Sequence, residues 1–103
     1  MKQKTIAIVG LGLIGGSFAR AFKKYTDYIV IGFNRTRSTA ELALEQGAID
    51  AIGTEENLKE ADVVLLSMYP KVSCDFVEQH IDCFKPGCII TDVNSGEVLA
   101  MAS

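Results

Sequence analysis

The chain has 103 residues, 49% of them hydrophobic, which fits one domain able to bury a core. Its formal net charge is −3 and its ten Lys and Arg residues are scattered, which argues against a nucleic-acid partner. No apolar run approaches the roughly 20 residues that span a bilayer, and we find no signal-peptide pattern, so we expect a cytoplasmic protein with no membrane partner.

Strand and helix signals alternate along the chain. Strands are predicted at 5–9, 28–33, 49–52, 62–67 and 88–92, and helices at 14–24, 38–46, 56–59 and 72–81. Strands separated by helices predict an α/β fold with a mainly parallel, right-handed, doubly wound sheet. The glycine-rich turn after the first strand makes this sheet Rossmann-type, with strand order 3-2-1-4-5.

That turn reads Gly10-Leu11-Gly12-Leu13-Ile14-Gly15-Gly16-Ser17, between the first predicted strand and the first predicted helix. It is the G-x-G-x-x-G pattern of dinucleotide-binding sites in its expected context. We expect Gly10 to allow the turn, Gly12 to let the backbone approach a pyrophosphate, and Gly15 to let the helix pack closely. Leu13 and Ile14 begin the helix whose unpaired N–H groups would face the phosphates. The alternative is a glycine turn that binds nothing.

The segment after the second predicted strand, Asn34-Arg35-Thr36-Arg37, indicates which dinucleotide binds. An NAD site usually has Asp or Glu here, to hold the ribose 2′-hydroxyl. Asn34 carries no charge that would repel a 2′-phosphate, Arg35 offers it a fork of donors, Thr36 adds a hydroxyl, and Arg37 could stack or assist. The cofactor predicted is therefore NADP rather than NAD. The alternative is that Asn34 and Thr36 only form a turn and a helix cap beside solvated arginines.

The loops after the fourth and fifth strands complete the predicted site, because ligands bind at the carboxyl ends of parallel strands. Ser67, Met68 and Tyr69 would flank a cofactor ribose, or simply connect a strand to a helix. Asn94 and Ser95 would lie near the nicotinamide, or only turn the chain.

The cysteines and the single histidine suggest no further chemistry. Cys74, Cys83 and Cys88 lack C-x-x-C spacing, so no metal site or disulfide is implied, and we expect them to be buried thiols. His80 is expected to be a cation or hydrogen-bonding group near a helix C-terminus rather than a catalytic group.

Three segments together resemble the prephenate and arogenate dehydrogenases of tyrosine biosynthesis: the glycine run at 10–17, the Lys85-Pro86-Gly87 turn, and Thr91-Asp92-Val93-x-Ser95. The resemblance covers nearly the whole chain. It implies an oxidoreductase that oxidatively decarboxylates a cyclohexadienol substrate and passes hydride to NADP. The triplet Asn34-Arg35-Thr36 also occurs in hydroxyisobutyrate and 6-phosphogluconate dehydrogenases. An NADP enzyme of the β-hydroxyacid or imine-reducing type therefore stays an alternative, as does a non-enzymatic nucleotide-binding module.

The same resemblance matches Ser95 to the family's active-site serine. Two departures limit it, because Asn94-Ser95-Gly96-Glu97 stands where the family usually has Gly-Ser-Val-Lys, and the family's catalytic histidine segment is not in this sequence. We therefore expect residues 1–103 to form a dinucleotide-binding domain without the later strands or the helical domain that binds substrate and dimerises. Alone it would bind NADP without turnover, and an uncovered sheet edge would favour a homo-oligomer.

Overall fold

The computed structural model describes residues 3–68, 70–93 and 98–101 of the chain. The strands are β1 (Thr5–Val9), β2 (Ile29–Phe33), β3 (Ala51–Ile52), β4 (Val63–Leu66), β5 (Ile89–Asp92) and β6 (Val98–Met101). The helices are α1 (Leu13–Tyr25), α2 (Arg37–Glu45), α3 (Glu55–Glu60) and α4 (Pro70–Gln79). All six strands belong to one sheet with the order β3-β2-β1-β4-β5-β6.

The first five strands are parallel, and their order confirms the predicted 3-2-1-4-5 arrangement. β6 is an additional strand that the sequence analysis does not predict, and it pairs antiparallel with β5, with Ile90 opposite Ala100. The edge of β5 is therefore covered by β6.

Alternating side chains of β1 supply two cores, one on each face of the sheet. Ile6 and Ile8 belong to one buried cluster, whereas Ala7 and Val9 belong to the other. Successive side chains of a strand point to opposite faces, so a strand covered on both faces is apolar throughout. Buried residues of α1 and α2 join the first cluster, and Leu58 of α3 joins the second.

Two aspartates bind backbone N–H groups at the N-terminal ends of β1 and β2, on the side of the sheet away from the glycine turn. Asp62 accepts the Thr5 N–H at 2.8 Å and pairs with Lys85 at 2.5 Å. Asp50 accepts the Val30 N–H at 2.7 Å and pairs with Lys23 at 2.5 Å. The hydrogen bond from Lys85 and then that from Thr5 lower the pKa of Asp62. Burial by itself would raise the pKa of Asp50, but its bonds to Lys23 and Val30 lower it overall.

α4 runs from Pro70 to Gln79, so it begins and ends two residues before the bounds of the predicted helix at 72–81; proline is tolerated in the first helical turn, so Pro70 can start it. Cys88 is buried as expected, and burial raises the pKa of its thiol. Cys83 is only half-buried, and the prediction of burial is wrong for Cys74, which α4 exposes to solvent. Within the part of the chain described, we find no helix long and apolar enough to cross a membrane.

Candidate nucleotide-binding site

The glycine turn lies between the carboxyl ends of β2 and β4. Gly10 has a φ of +92°, a backbone conformation that residues with a side chain rarely adopt. A Cβ at this position would lie 2.5 Å from the Ser67 carbonyl oxygen. Its N–H donates to the Phe33 carbonyl oxygen at 2.7 Å. Only glycine therefore fits at Gly10, for both conformational and steric reasons.

The other two glycines of the pattern differ in their surroundings. A Cβ on Gly15 would overlap the carbonyl oxygen of Gly10 and come within 3.2 Å of the Ser67 Cβ, so α1 starts directly against the turn. A Cβ on Gly12 would meet no atom of the described residues within 4 Å, apart from its own chain neighbours. Gly15 is thus required for packing, whereas the lack of a side chain at Gly12 leaves open space beside the backbone.

The N-terminus of α1 borders that open space and has the chemistry of an anion site. Gly12 is the N-cap, no side chain among the described residues caps the helix, and its first turn contains no acidic residue. Unpaired N–H groups and the positive end of the helix dipole favour an anion at such a position. The residues present therefore fit the phosphates of a dinucleotide.

Asn34 connects the end of β2 to the glycine turn. Its Oδ1 accepts the Leu11 backbone N–H at 2.8 Å, and its Nδ2 donates to the Thr36 carbonyl oxygen at 3.0 Å. Both polar ends of the side chain are therefore bonded within the protein. Asn34 forms the turn that the sequence analysis gave as an alternative, and it also borders the cleft.

The two arginines after β2 both face the cleft, although they differ in their partners. Arg35 is exposed, and no ion pair or hydrogen bond engages it among the described residues. The Nε of Arg37 donates to Glu41 Oε1 at 3.0 Å. Thr36 is the N-cap of α2, but its hydroxyl makes no capping hydrogen bond to any residue that the structure describes. The corner beside β2 therefore carries an unpaired guanidinium and no carboxylate at the strand end.

These groups line one cleft of about 1270 Å³ at the carboxyl ends of the strands. Eight residues named in the sequence analysis as cofactor-binding line it: Gly10, Gly12, Leu13, Ile14, Asn34, Arg35, Ser67 and Met68. Gly15 and Thr36 do not line it; Gly15 packs beneath the turn, and Thr36 occupies the N-cap position of α2. Tyr69, Asn94 and Ser95 lie outside the described residues. Within those described, no His, Cys, Asp and Glu cluster could hold a metal ion.

The sequence analysis missed one wall of the cleft, which α4 provides through Val72, Asp75, Phe76 and Gln79. The Phe76 ring meets the Phe33 ring edge-on, with centroids 6.3 Å apart. His80 lies behind Phe76, stacks on it at 4.3 Å, and places Nδ1 2.9 Å from its carbonyl oxygen. The pair Val72 and Phe76, four residues apart just after Pro70, indicated the helix but not that its apolar side chains border the cleft.

The glycine turn, the free N-terminus of α1 and the cleft beside them define a nucleotide-binding Rossmann domain. Residues 18–99 match the family described as "Prephenate dehydrogenase, nucleotide-binding domain". The chain belongs to this family, which confirms the resemblance. A Mycobacterium tuberculosis 3-hydroxyisobutyrate dehydrogenase shares the fold, with a TM-score of 0.74 at 23% identity.

Individual relatives agree with this assignment. The chain is 33% identical over 107 residues to a prephenate dehydrogenase of Lactococcus lactis, covering 98% of this chain and 30% of the relative. Synechocystis arogenate dehydrogenase superposes with a TM-score of 0.80 at 33% identity, covering 86% of this chain and 32% of that one. The Aquifex aeolicus prephenate dehydrogenase in complex with hydroxyphenyl propionate and NAD+ superposes with a TM-score of 0.78 at 21% identity. The match covers 89% of this chain and 34% of that one. The chain thus spans about a third of the length of these relatives.

Proposed function

We propose that this chain is the NADP-binding domain of a cytoplasmic prephenate or arogenate dehydrogenase, which oxidatively decarboxylates a cyclohexadienol in tyrosine biosynthesis. Family membership supports the reaction class. The observation that carries the choice of nucleotide is the corner after β2, where Arg35 borders the cleft and Asn34 replaces the usual acid. A planar, permanently charged guanidinium suits a phosphate, whereas a carboxylate would repel it.

The proposed roles of the other residues follow from their positions. The backbone N–H groups of Leu13 and Ile14, in the uncapped first turn of α1, bind the pyrophosphate beside the open space at Gly12. Ser67 and Met68, just beyond β4, border the cleft and contact a ribose. Asn34 holds the glycine turn, and Gly15 acts only through packing, so neither needs to touch the cofactor.

The chemistry expected of the whole enzyme requires residues beyond those described. When bound, the nicotinamide accepts a hydride from the ring carbinol as carbon dioxide leaves. Tyr69, Asn94 and Ser95 are proposed to lie near its ribose and carboxamide, with Ser95 as the active-site serine that the family resemblance implies. The family's catalytic histidine is absent from the 103 residues, so we expect this chain to bind nucleotide without turnover. A homo-oligomer formed by the isolated chain is also proposed, through the outer strands β3 or β6 of the sheet rather than through β5, which β6 covers.

Calorimetric titration of the 103-residue chain with NADP+ and NAD+ tests the proposal. We expect the chain to bind NADP+ more tightly than NAD+. Arg35→Ala should lower the affinity for NADP+ by roughly ten-fold or more and change the affinity for NAD+ little. Arg20→Ala is the matched control, because Arg20 bonds Gln46 at 3.2 Å and does not line the cleft. Tighter binding of NAD+ by the unmodified chain would overturn the NADP assignment.

A separate assay tests the absence of turnover. The same chain is incubated with NADP+ and either prephenate or arogenate, and absorbance of the reduced nicotinamide is followed. We expect no signal above the enzyme-free rate. Measurable oxidation by the 103 residues would refute the view that the catalytic groups lie elsewhere.

A further inference from the structure

Glu41 is the carboxylate nearest in sequence to Arg35 and Arg37, the two arginines that line the cleft, and it contacts Arg37. It lies one turn along α2 from Arg37, and its Oε1 accepts the Arg37 Nε–H at 3.0 Å. Arg35, by comparison, has no carboxylate partner among the described residues. One of the two guanidinium groups facing the cleft is therefore partly neutralised, and the other is not.

We infer that Glu41 restrains Arg37 and thereby limits how strongly the cleft prefers a nucleotide carrying a 2′-phosphate. Both partners are highly exposed, with side-chain accessibilities of 77% for Arg37 and 59% for Glu41. Exposed pairs at this spacing are weak, so an incoming phosphate can compete for the guanidinium. The competition still lowers the affinity, because Glu41 occupies one donor of Arg37 and its own charge repels the phosphate.

The effect discriminates between nucleotides because it depends on charge. A 2′-hydroxyl is neutral, so neither the occupied Arg37 donor nor the Glu41 carboxylate changes its binding appreciably. A 2′-phosphate carries up to two negative charges at neutral pH and responds to both. Glu41 is thus a positioning residue that acts through Arg37 on the ratio of NADP+ affinity to NAD+ affinity. This inference rests on the proposed dinucleotide binding, but not on which nucleotide the unmodified chain prefers.

The test is the affinity ratio of Glu41→Gln relative to the unmodified chain, measured by calorimetry at physiological ionic strength. Glutamine keeps an oxygen acceptor for the Arg37 Nε–H and a similar helix propensity, so the substitution removes little besides the charge. We expect the NADP+ to NAD+ ratio to rise about three- to ten-fold. Raising the salt to about 1 M should abolish most of this gain, because the screening length falls to about 3 Å.

Glu45→Gln is the matched control, because it removes the same charge from the same helix. Glu41 is about 6 Å from Arg37 along the helix axis and Glu45 about 12 Å, beyond the screening length of roughly 8 Å. Glu45→Gln should leave the ratio unchanged, and in an Arg37→Ala background the gain from Glu41→Gln should shrink to the part that comes from direct repulsion between Glu41 and the phosphate. An unchanged or lower ratio in Glu41→Gln, an equal gain in Glu45→Gln, or a full gain without Arg37 would overturn the inference. A preference of the unmodified chain for NAD+ would instead contradict only the proposed cofactor.

Discussion

The amide oxygen of Asn34 accepts the backbone N–H of Leu11 at 2.8 Å, across 23 positions of sequence, and so ties the end of β2 to the glycine turn. The same side chain donates to the Thr36 carbonyl oxygen at 3.0 Å. One residue thus fixes the conformation of the turn and leaves the corner beside Arg35 without negative charge. These two contributions can be separated by substitution.

Asn34→Asp should reverse the nucleotide preference. The carboxylate can still accept the Leu11 N–H, although it cannot donate to the Thr36 carbonyl oxygen. It places a negative charge beside the proposed 2′-phosphate and can accept a bond from a 2′-hydroxyl. At a separation of about 5 Å in a water-like dielectric, repulsion from a phosphate dianion is roughly 1–2 kcal/mol, about ten-fold in affinity. We expect calorimetry to show that loss for NADP+ and a smaller change for NAD+.

Asn34→Ala is the control for Asn34→Asp, because it removes both hydrogen bonds without adding charge. Because the turn is then less rigid, the affinities for NADP+ and NAD+ should fall in parallel, and the free energy of unfolding should fall by about 1–2 kcal/mol. If Asn34→Asp also weakened both nucleotides equally, charge at this corner would have no part in selectivity.

Gly12→Ala should abolish nucleotide binding while leaving the fold intact. The backbone of Gly12, with φ −68° and ψ −162°, is accessible to alanine, and within the described part of the chain the Cβ would meet no atom within 4 Å beyond its chain neighbours. That Cβ would occupy the space proposed for the pyrophosphate. We expect the urea midpoint to change little and the NADP+ affinity to fall at least about 30-fold, since the close approach of phosphate to backbone is lost. An NADP+ affinity close to that of the unmodified chain would place the phosphates elsewhere.

The sheet and the glycine turn could be predicted because their signals are local. The apolar run of β1, the glycines after it and the helical spacing of α1 lie within one continuous segment. β4 pairs with β1 although the two strands are far apart in sequence. This pairing could be predicted from the rules for doubly wound sheets rather than from any single residue.

What could not be predicted depends on contacts between distant segments. Val72 and Phe76 have helical spacing whether they face the core or a cleft, so periodicity alone could not place them on the wall opposite Phe33. β6 reads Val-Leu-Ala-Met, a short apolar run whose pattern alone does not distinguish a strand from a helix segment, so its pairing with β5 could not be predicted. Asp62 was predicted as the first residue of a strand, but it precedes β4 and its side chain bonds Thr5.

The bonds of Asp62 should make stability depend on acid pH. Because the pKa of this carboxyl is lowered on folding, its contribution is present above the unfolded value, near 3.8, and is lost as pH falls through the folded pKa. Asp62→Asn removes the ion pair with Lys85. We therefore expect it to lower the free energy of unfolding by about 1–2 kcal/mol at pH 7 and by much less near pH 2.

Urea unfolding at several pH values measures this difference. Asp27→Asn is the control, because Asp27 is exposed and its carboxylate has no hydrogen bond or ion pair among the described residues. It should follow the unmodified chain throughout the titration. A destabilisation by Asp62→Asn that was equally large at acid pH would mean that shape, not charge, accounts for the role of Asp62.

The adjacent glycines Gly15 and Gly16 should respond in opposite ways to the same substitution. Both are buried in α1, where alanine is intrinsically favoured over glycine by about 1 kcal/mol. A Cβ on Gly15 would overlap the Gly10 carbonyl oxygen, whereas one on Gly16 would find the Leu11 carbonyl oxygen at 3.6 Å, an ordinary contact. Gly15→Ala must push α1 away from the turn and should cost at least about 2 kcal/mol. Gly16→Ala should leave the free energy of unfolding unchanged or raise it by up to about 1 kcal/mol. Urea unfolding measures both variants, and equal midpoints would show that α1 does not pack against the turn through Gly15.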